Sequence, residues 1–303
     1  MVRHNRADAF DQAWHRPEPA NRWTDLADDP NDPVAIADRA RTLQAAWRDP
    51  IADRVAFLEQ RCRGRNVLDI GCVAHDVERL SGPQWLHGRI AAVAASCVGV
   101  DVLEAGVDAV NAAGFDAVAH DLSTGLGPLA ARGPFDVIVA GELLEHVADL
   151  DMVFRVAAEG LADDGELILT TPNPYAPPRV QAGQLGIVWE NVDHVMYAFP
   201  SGIAELAARR GLVLAEAATV DDRRPARPSP IRRAKRMIRG TRWRNVGYAS
   251  ADNGAQVLVG DGVLARVVRR VGRTPRRFLG ETFVYVITRP DPDRWRGHVT
   301  GAA

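Results

Sequence analysis

Three cysteines in 303 residues, Cys62, Cys72 and Cys97, are too few and too odd in number for a disulfide framework. None of them stands in a CxxC pair, so a zinc knuckle is not indicated, and a reducing compartment is the expectation. Long apolar runs are also missing. The most extended, residues 90–100, falls far short of the ~20 residues that cross a bilayer. The opening MVRHNRADAFDQAWHR has no apolar stretch of the secretory type, which makes a cytoplasmic protein the expectation. An excess of one charge is lacking too. With a formal net charge of -2, no global field draws the chain to nucleic acid or membrane, and any such preference must come from local clustering. No internal repeat is visible.

What is present is the make-up of a folded domain, 47% hydrophobic and 25% charged. Residues 1–33 are polar, acidic in places and broken by prolines, and read as an arm. Over 34–64 the apolar residues recur near the helical period, which predicts two helices interrupted at Asp49-Pro50. From 65 to 220 the pattern changes to short apolar runs separated by helical or glycine-rich stretches. The runs at 66–70, 97–102, 116–120, 135–141, 166–171 and 212–217, with a last at 282–288, give seven candidate strands. Runs apolar on both faces belong in a sheet covered on both sides, and strand-helix alternation implies parallel crossovers. The expectation is an α/β fold with a doubly wound, mostly parallel seven-stranded sheet. The long basic segment 221–280 separates the last two strands, which are expected to form an antiparallel edge, with 281–303 as last strand and tail.

Ligands of open α/β sheets bind beyond the carboxyl ends of the strands. Here those ends carry acids: Asp69 with Gly71, then Asp101, Asp121 and Glu142. A glycine turn lets the backbone approach a ligand, and an acid at the end of the second strand can accept both hydroxyls of a ribose. One such acid could equally be a structural turn residue. Four at successive strand ends point to a nucleoside site. The first loop has no second or third glycine for a pyrophosphate, which argues against a dinucleotide.

On these residues the chain resembles the class I S-adenosylmethionine-dependent methyltransferases. VLDIGC is similar to their first motif, GVD to their second-strand acid, and FDVIVAGELLEHV with LADDGELILTTPN to their fourth and fifth strands, over roughly 60–220. The resemblance implies that Asp69, Gly71 and Cys72 line the methionine end of the cofactor, that Asp101 with Val102 holds the ribose, that Asp121 and Leu122 bracket the adenine, and that Glu142 also touches the cofactor. Two departures stand out. The chain reads DIGCVAHD where the family continues with small residues, and SGPQWLHG (81–88) looks inserted. Trp85 and His87 could line the pocket mouth; the alternatives are packing on the next helix for Trp85 and, ahead of a role in the chemistry, surface exposure for His87.

GELLEHV is expected to open a helix, placing Glu142, Glu145 and His146 on one face at i, i+3 and i+4. With His194 from NVDHVMYAF, and Asp193 beside it, these residues could hold magnesium or manganese through oxygen ligands, or zinc through the imidazoles. The ExxEH pattern with a later histidine resembles the ubiquinone-pathway O-methyltransferases and the small-RNA 3′-end 2′-O-methyltransferases. The alternative is metal-free, with Glu142 touching the cofactor, Glu145 capping or pairing on the helix and His146 as general base; His146, Glu142 and His194 are the candidate catalytic residues. A hydroxyl needs either kind of help, so O-methylation is expected ahead of N-methylation. Asn173, Tyr175 and Trp189, in an irregular proline-rich stretch, are candidate acceptor contacts. The overall flavour resembles methyltransferases of surface polysaccharide and glycolipid assembly, which favours a glycan, glycolipid or small-molecule hydroxyl. An RNA 2′-O-methyltransferase and a cofactor-binding protein without turnover are the alternatives, although nucleic acid is disfavoured. Residues 223–244 hold ten arginines or lysines by direct count and no acid. They read as a solvated loop or as a peripheral contact with anionic membrane at its inner surface. Oligomeric state is not legible.

Overall fold

The computed structural model describes residues 22–73, 80, 82, 85–186, 190–220 and 280–290. In chain order the strands are β1 (Asn66–Ile70), β2 (Ser96–Asp101), β3 (Ala117–Ala119), β4 (Phe135–Gly141), β5 (Leu161–Pro172), β6 (Val213–Val220) and β7 (Thr282–Thr288). The helices are α1 (Pro33–Ala46), α2 (Arg54–Cys62), α3 (Leu86–Ala91), α4 (Glu104–Ala112), α5 (Asp151–Gly160), α6 (Pro177–Gln184) and α7 (Pro200–Arg209). All seven strands form one sheet of order β3-β2-β1-β4-β5-β7-β6. Each of the sequence's strands is found within a few residues of its expected place.

The last two strands form an antiparallel edge of the sheet, as expected. Only β7 runs antiparallel, and it lies between β5 and β6 rather than at the rim, so β6 points the same way as β5. The reason is burial. Phe283, Val284, Tyr285, Val286 and Ile287 are all sealed from solvent, and a strand with no exposed face belongs inside a sheet. The free side of β6 is then protected by the break between the first two helices. Trp47 and Ile51 form parallel bridges to Ala217 and Val220, and Arg48 and Ile51 donate their backbone N–H groups to Ala217 and Thr219. What reads in sequence as a helix break is thus a strap over an open strand edge.

Both early helices start at an aspartate cap. Asp32 accepts from the Val34 N–H ahead of Pro33 at the first helical position, and Asp53 accepts from Ala56 N–H. Two apolar layers flank the sheet. The larger joins Leu68, Ile138, Phe154, Leu167 and Tyr285 with α5 and α7, while the other gathers Leu58, Val67, Ile90, Val139 and Ile168 under α2 and α3.

Candidate active site

The parallel strands bring their acidic ends to one rim of the sheet. Gly71, just beyond β1, has a φ of 78°, which favours glycine, and a Cβ there would crowd the Leu143 side chain at 3.1 Å. Asp101 closes β2. Its two carboxylate oxygens each accept one backbone N–H, from Val73 and from Leu103, at 3.1 Å. Those bonds fix the carboxylate and leave lone pairs for a ribose. Val102 beside it is exposed. Asp121 caps the short turn Leu122–Thr124 by accepting from Ser123 N–H, and that bond holds its carboxyl below the usual carboxylate range. The Leu122 side chain lies in the core, so only its backbone could meet a base. Cys72 is likewise turned inward. Its sulfur lies over Gly99, and burial raises its thiol pKa well above the usual range, leaving its backbone as the only part at the loop. These residues fit a nucleoside-bearing cofactor with a cationic end.

The second group forms after β4, and it is not built on a helix as expected. Glu142 has a φ of 53°, which excludes it from any helical turn, and only Leu144–His146 follow as a 3-10 turn. The i, i+3, i+4 geometry therefore never arises. The Glu142 carboxylate goes instead to Arg54, 3.3 Å away, while its own N–H donates to the Thr170 carbonyl. Arg54 also donates to the Thr170 hydroxyl. What does converge is Glu145, His146 and His194, whose ligand atoms lie within 4.8 Å of one another. Glu142 is not part of that group. Glu145 is buried and accepts from the Thr171 hydroxyl at 3.0 Å. Burial, helped by the Glu142 carboxylate, pushes its carboxyl up to about 8. Its carbonyl accepts Val195 N–H, which ties the 190–199 segment to the turn and brings His194 over.

Each imidazole has a carboxylate behind it. Asp193 lies 3.1 Å from His146 Nδ1, and Glu190 lies 2.9 Å from His194 Nδ1. The two rings meet edge to face at 4.8 Å. Glu190 and Arg54 escaped the sequence reading. Glu190 could have been found from its position four residues before His194, whereas Arg54, on a distant helix, gave no local signal. Asn173 is fully buried and holds the end of β5 to the Gly280 carbonyl and Tyr175 N–H, so it is structural rather than an acceptor contact. His87 is also corrected: it is buried, not exposed, with Nδ1 3.0 Å from Asp69 Oδ2. Trp85 packs edge-on against Phe115 and donates its indole N–H to the Cys72 carbonyl. Tyr175 is exposed and contacts Phe199, while Trp189 and the basic stretch 223–244 lie outside the described residues.

A profile described as "Methyltransferase domain" matches residues 39–217. The chain belongs to that family, within the class I S-adenosylmethionine-dependent methyltransferases. It is 28% identical over 195 residues to the ubiquinone biosynthesis O-methyltransferase of Idiomarina loihiensis, covering 56% of this chain and 71% of that one. A protein of the same name from Azorhizobium caulinodans is 33% identical over 143 residues, 46% of this chain and 51% of the relative. Among solved structures, a SAM-dependent methyltransferase from Archaeoglobus fulgidus aligns over 78% of this chain and 91% of that one, with 13% identity and a TM-score of 0.45.

Proposed function

We propose that this chain transfers a methyl group to a hydroxyl oxygen, and that Glu145, His146 and His194 hold a divalent cation against that hydroxyl. S-adenosylmethionine supplies the methyl already activated at its sulfonium, so the chain must place the acceptor oxygen in line and dispose of its proton. The observation that carries the reading is the convergence of a buried carboxylate and two imidazoles, each imidazole backed by an outer carboxylate. Metal-ligating histidines commonly have such a partner on the other ring nitrogen. A cation held there lowers the pKa of a coordinated hydroxyl. With Glu142 drawn away by Arg54, the donor set is one oxygen and two nitrogens, which moves the preference from magnesium toward zinc or manganese.

The Asp193–His146 contact favours a second reading, in which His146 takes the proton without a metal and Asp193 orients it. Metal analysis and chelation decide between them. On the first reading the purified enzyme carries a near-stoichiometric cation, chelation abolishes turnover, added zinc or manganese restores it, and His194→Ala mimics chelation. Activity indifferent to chelation would leave the metal-free base. The relatives named O-methyltransferases support transfer to oxygen.

For the acceptor, the exposed side chains of Tyr175, Val180, Leu185, Val192, Val195 and Phe199 favour a hydroxyl on a molecule with an apolar body. A glycolipid or related small molecule meets that requirement better than a free polysaccharide or RNA. Incubating extract fractions with methyl-labelled cofactor should place the label in the lipid-soluble pool; label in RNA or water-soluble glycan would overturn the acceptor class. Residues 223–244 are proposed to contact an anionic surface, at up to about 1 kcal/mol per basic residue. The protein should then sediment with anionic but not neutral vesicles at low salt, and replacing Arg232, Arg233, Lys235 and Arg236 with glutamine should release it.

A further inference from the structure

His87 is the polar group deepest in the fold that the methyl transfer leaves unused. It stands in the first turn of α3 with its side chain wholly sealed from solvent. Two glycines make room for it and for the neighbouring Trp85. A Cβ on Gly99 of β2 would lie 2.9 Å from His87 Cε1, and a Cβ on Gly88 would lie 2.8 Å from the Trp85 ring. Phe115 closes the other side, edge-on to both rings. Among the described residues the imidazole is anchored through Nδ1, 3.0 Å from Asp69 Oδ2 and, more weakly, 4.0 Å from the Cys97 sulfur, while Nε2 is buried without a hydrogen-bond partner.

Burying a histidine against an aspartate is costly, and an apolar residue of the same volume would fill this space at least as stably. The pair is therefore a poor device for stability alone. Its position suggests another use, because Asp69 is the one acid of β1 and stands two residues before Gly71. A carboxylate has two oxygens. With Oδ2 engaged by His87, the carboxylate plane is fixed and Oδ1 has no partner among the described residues.

We infer that His87 is a positioning residue for cofactor recognition: by holding Asp69 Oδ2 it aims the carboxylate's negative charge at the cationic amino-acid end of the cofactor. The inference rests on the nucleoside site described above and on Asp69 facing the methionine end. It accounts for a histidine in the inserted-looking segment. It assigns the pair to one half of the ligand only, the half that carries an ammonium group.

Calorimetric titration of the apo protein with S-adenosylhomocysteine and with 5′-methylthioadenosine tests this, since the second ligand keeps the nucleoside and lacks the amino-acid end. His87→Leu should weaken S-adenosylhomocysteine by roughly tenfold or more, the scale of one hydrogen bond to a charged group, and leave methylthioadenosine within about threefold. His87→Asn, which keeps a donor near the Nδ1 position, should recover most of the loss. In an Asp69→Asn background, adding His87→Val, which removes the donor, should cost nothing further, because the two act as one unit. Equal weakening of both ligands would make His87 merely structural, and unchanged affinity for S-adenosylhomocysteine would overturn the proposal outright. If His87→Leu does not fold, additive losses in the Asp69→Asn background overturn it equally. Asp101→Ala serves as the separate control, expected to weaken both ligands. No effect on either would remove the nucleoside site itself, and this inference with it.

Discussion

At Asp101 two backbone N–H groups already hold the carboxylate, so its substitution has a structural and a binding component. Asp101→Ala is expected to weaken cofactor binding strongly, since the ribose forfeits charge-assisted hydrogen bonds of roughly 1.5 to 3 kcal/mol. Asp101→Asn keeps one acceptor oxygen for the loop and should lose less; calorimetry of the two variants separates the components, and unchanged affinity in the alanine variant would sink the ribose assignment. Glu142 offers a different test. Its φ of 53° costs an L-residue about 1 to 2 kcal/mol that glycine does not pay. Both Glu142→Gly and Glu142→Ala lose the ion pair to Arg54, but the glycine variant should be the more stable by about 1 kcal/mol in denaturant unfolding. Equal stability would mean that the backbone relaxes elsewhere.

Among the elements, α2 matters beyond its packing. It carries Arg54 to Glu142 and Thr170, and Arg61 to Glu166 of β5 and Glu216 of β6. A helix of nine residues that starts on one aspartate cap depends on it. Asp53→Ala should cost about 1 kcal/mol of stability by chemical denaturation. A loss of a few tenths or less would show that tertiary contacts alone hold the first turn. Four of the acids at the strand ends were legible because strand periodicity places them without reference to anything distant. The group of Glu145, His146 and His194 was legible only as residue types. Its predicted helix fails because the Glu142 backbone turns left-handed, and no periodicity rule registers a single such residue.

For the whole molecule, the order β5-β7-β6 has a consequence for the long segment between the last two strands. Val220 pairs with Thr282, and Glu281 donates its N–H to the Val220 carbonyl, so the chain leaves and re-enters the sheet at one point. In register β6 and β7 pair as the two arms of a hairpin, with residues 221–279 as their connection in sequence. Replacing residues 221–279 with a short glycine-containing turn should preserve the far-UV circular dichroism spectrum and the cofactor affinity, while vesicle sedimentation is lost. Loss of folding in that variant would show that the segment packs on the body. Removing β7 instead should abolish folding, since β6 would lose its strand partner and β5 one of its two.

The sequence by itself determined the seven strands, the parallel core and the acids at its rim, because alternation, apolar runs and strand ends are properties of neighbouring residues. It also supplied the ingredients of the second group, Glu145, His146 and His194, through their residue types. Three matters were decided only by the tertiary structure. β7 inserts between β5 and β6 because both its faces must be buried, Glu142 leaves the cluster because Arg54 arrives from a helix 88 positions earlier by subtraction, and His87 turns inward because Gly99 on another strand leaves it room. Each depends on a contact between residues far apart in the chain. Local pattern carries no information about which distant side chain will occupy the space a residue faces.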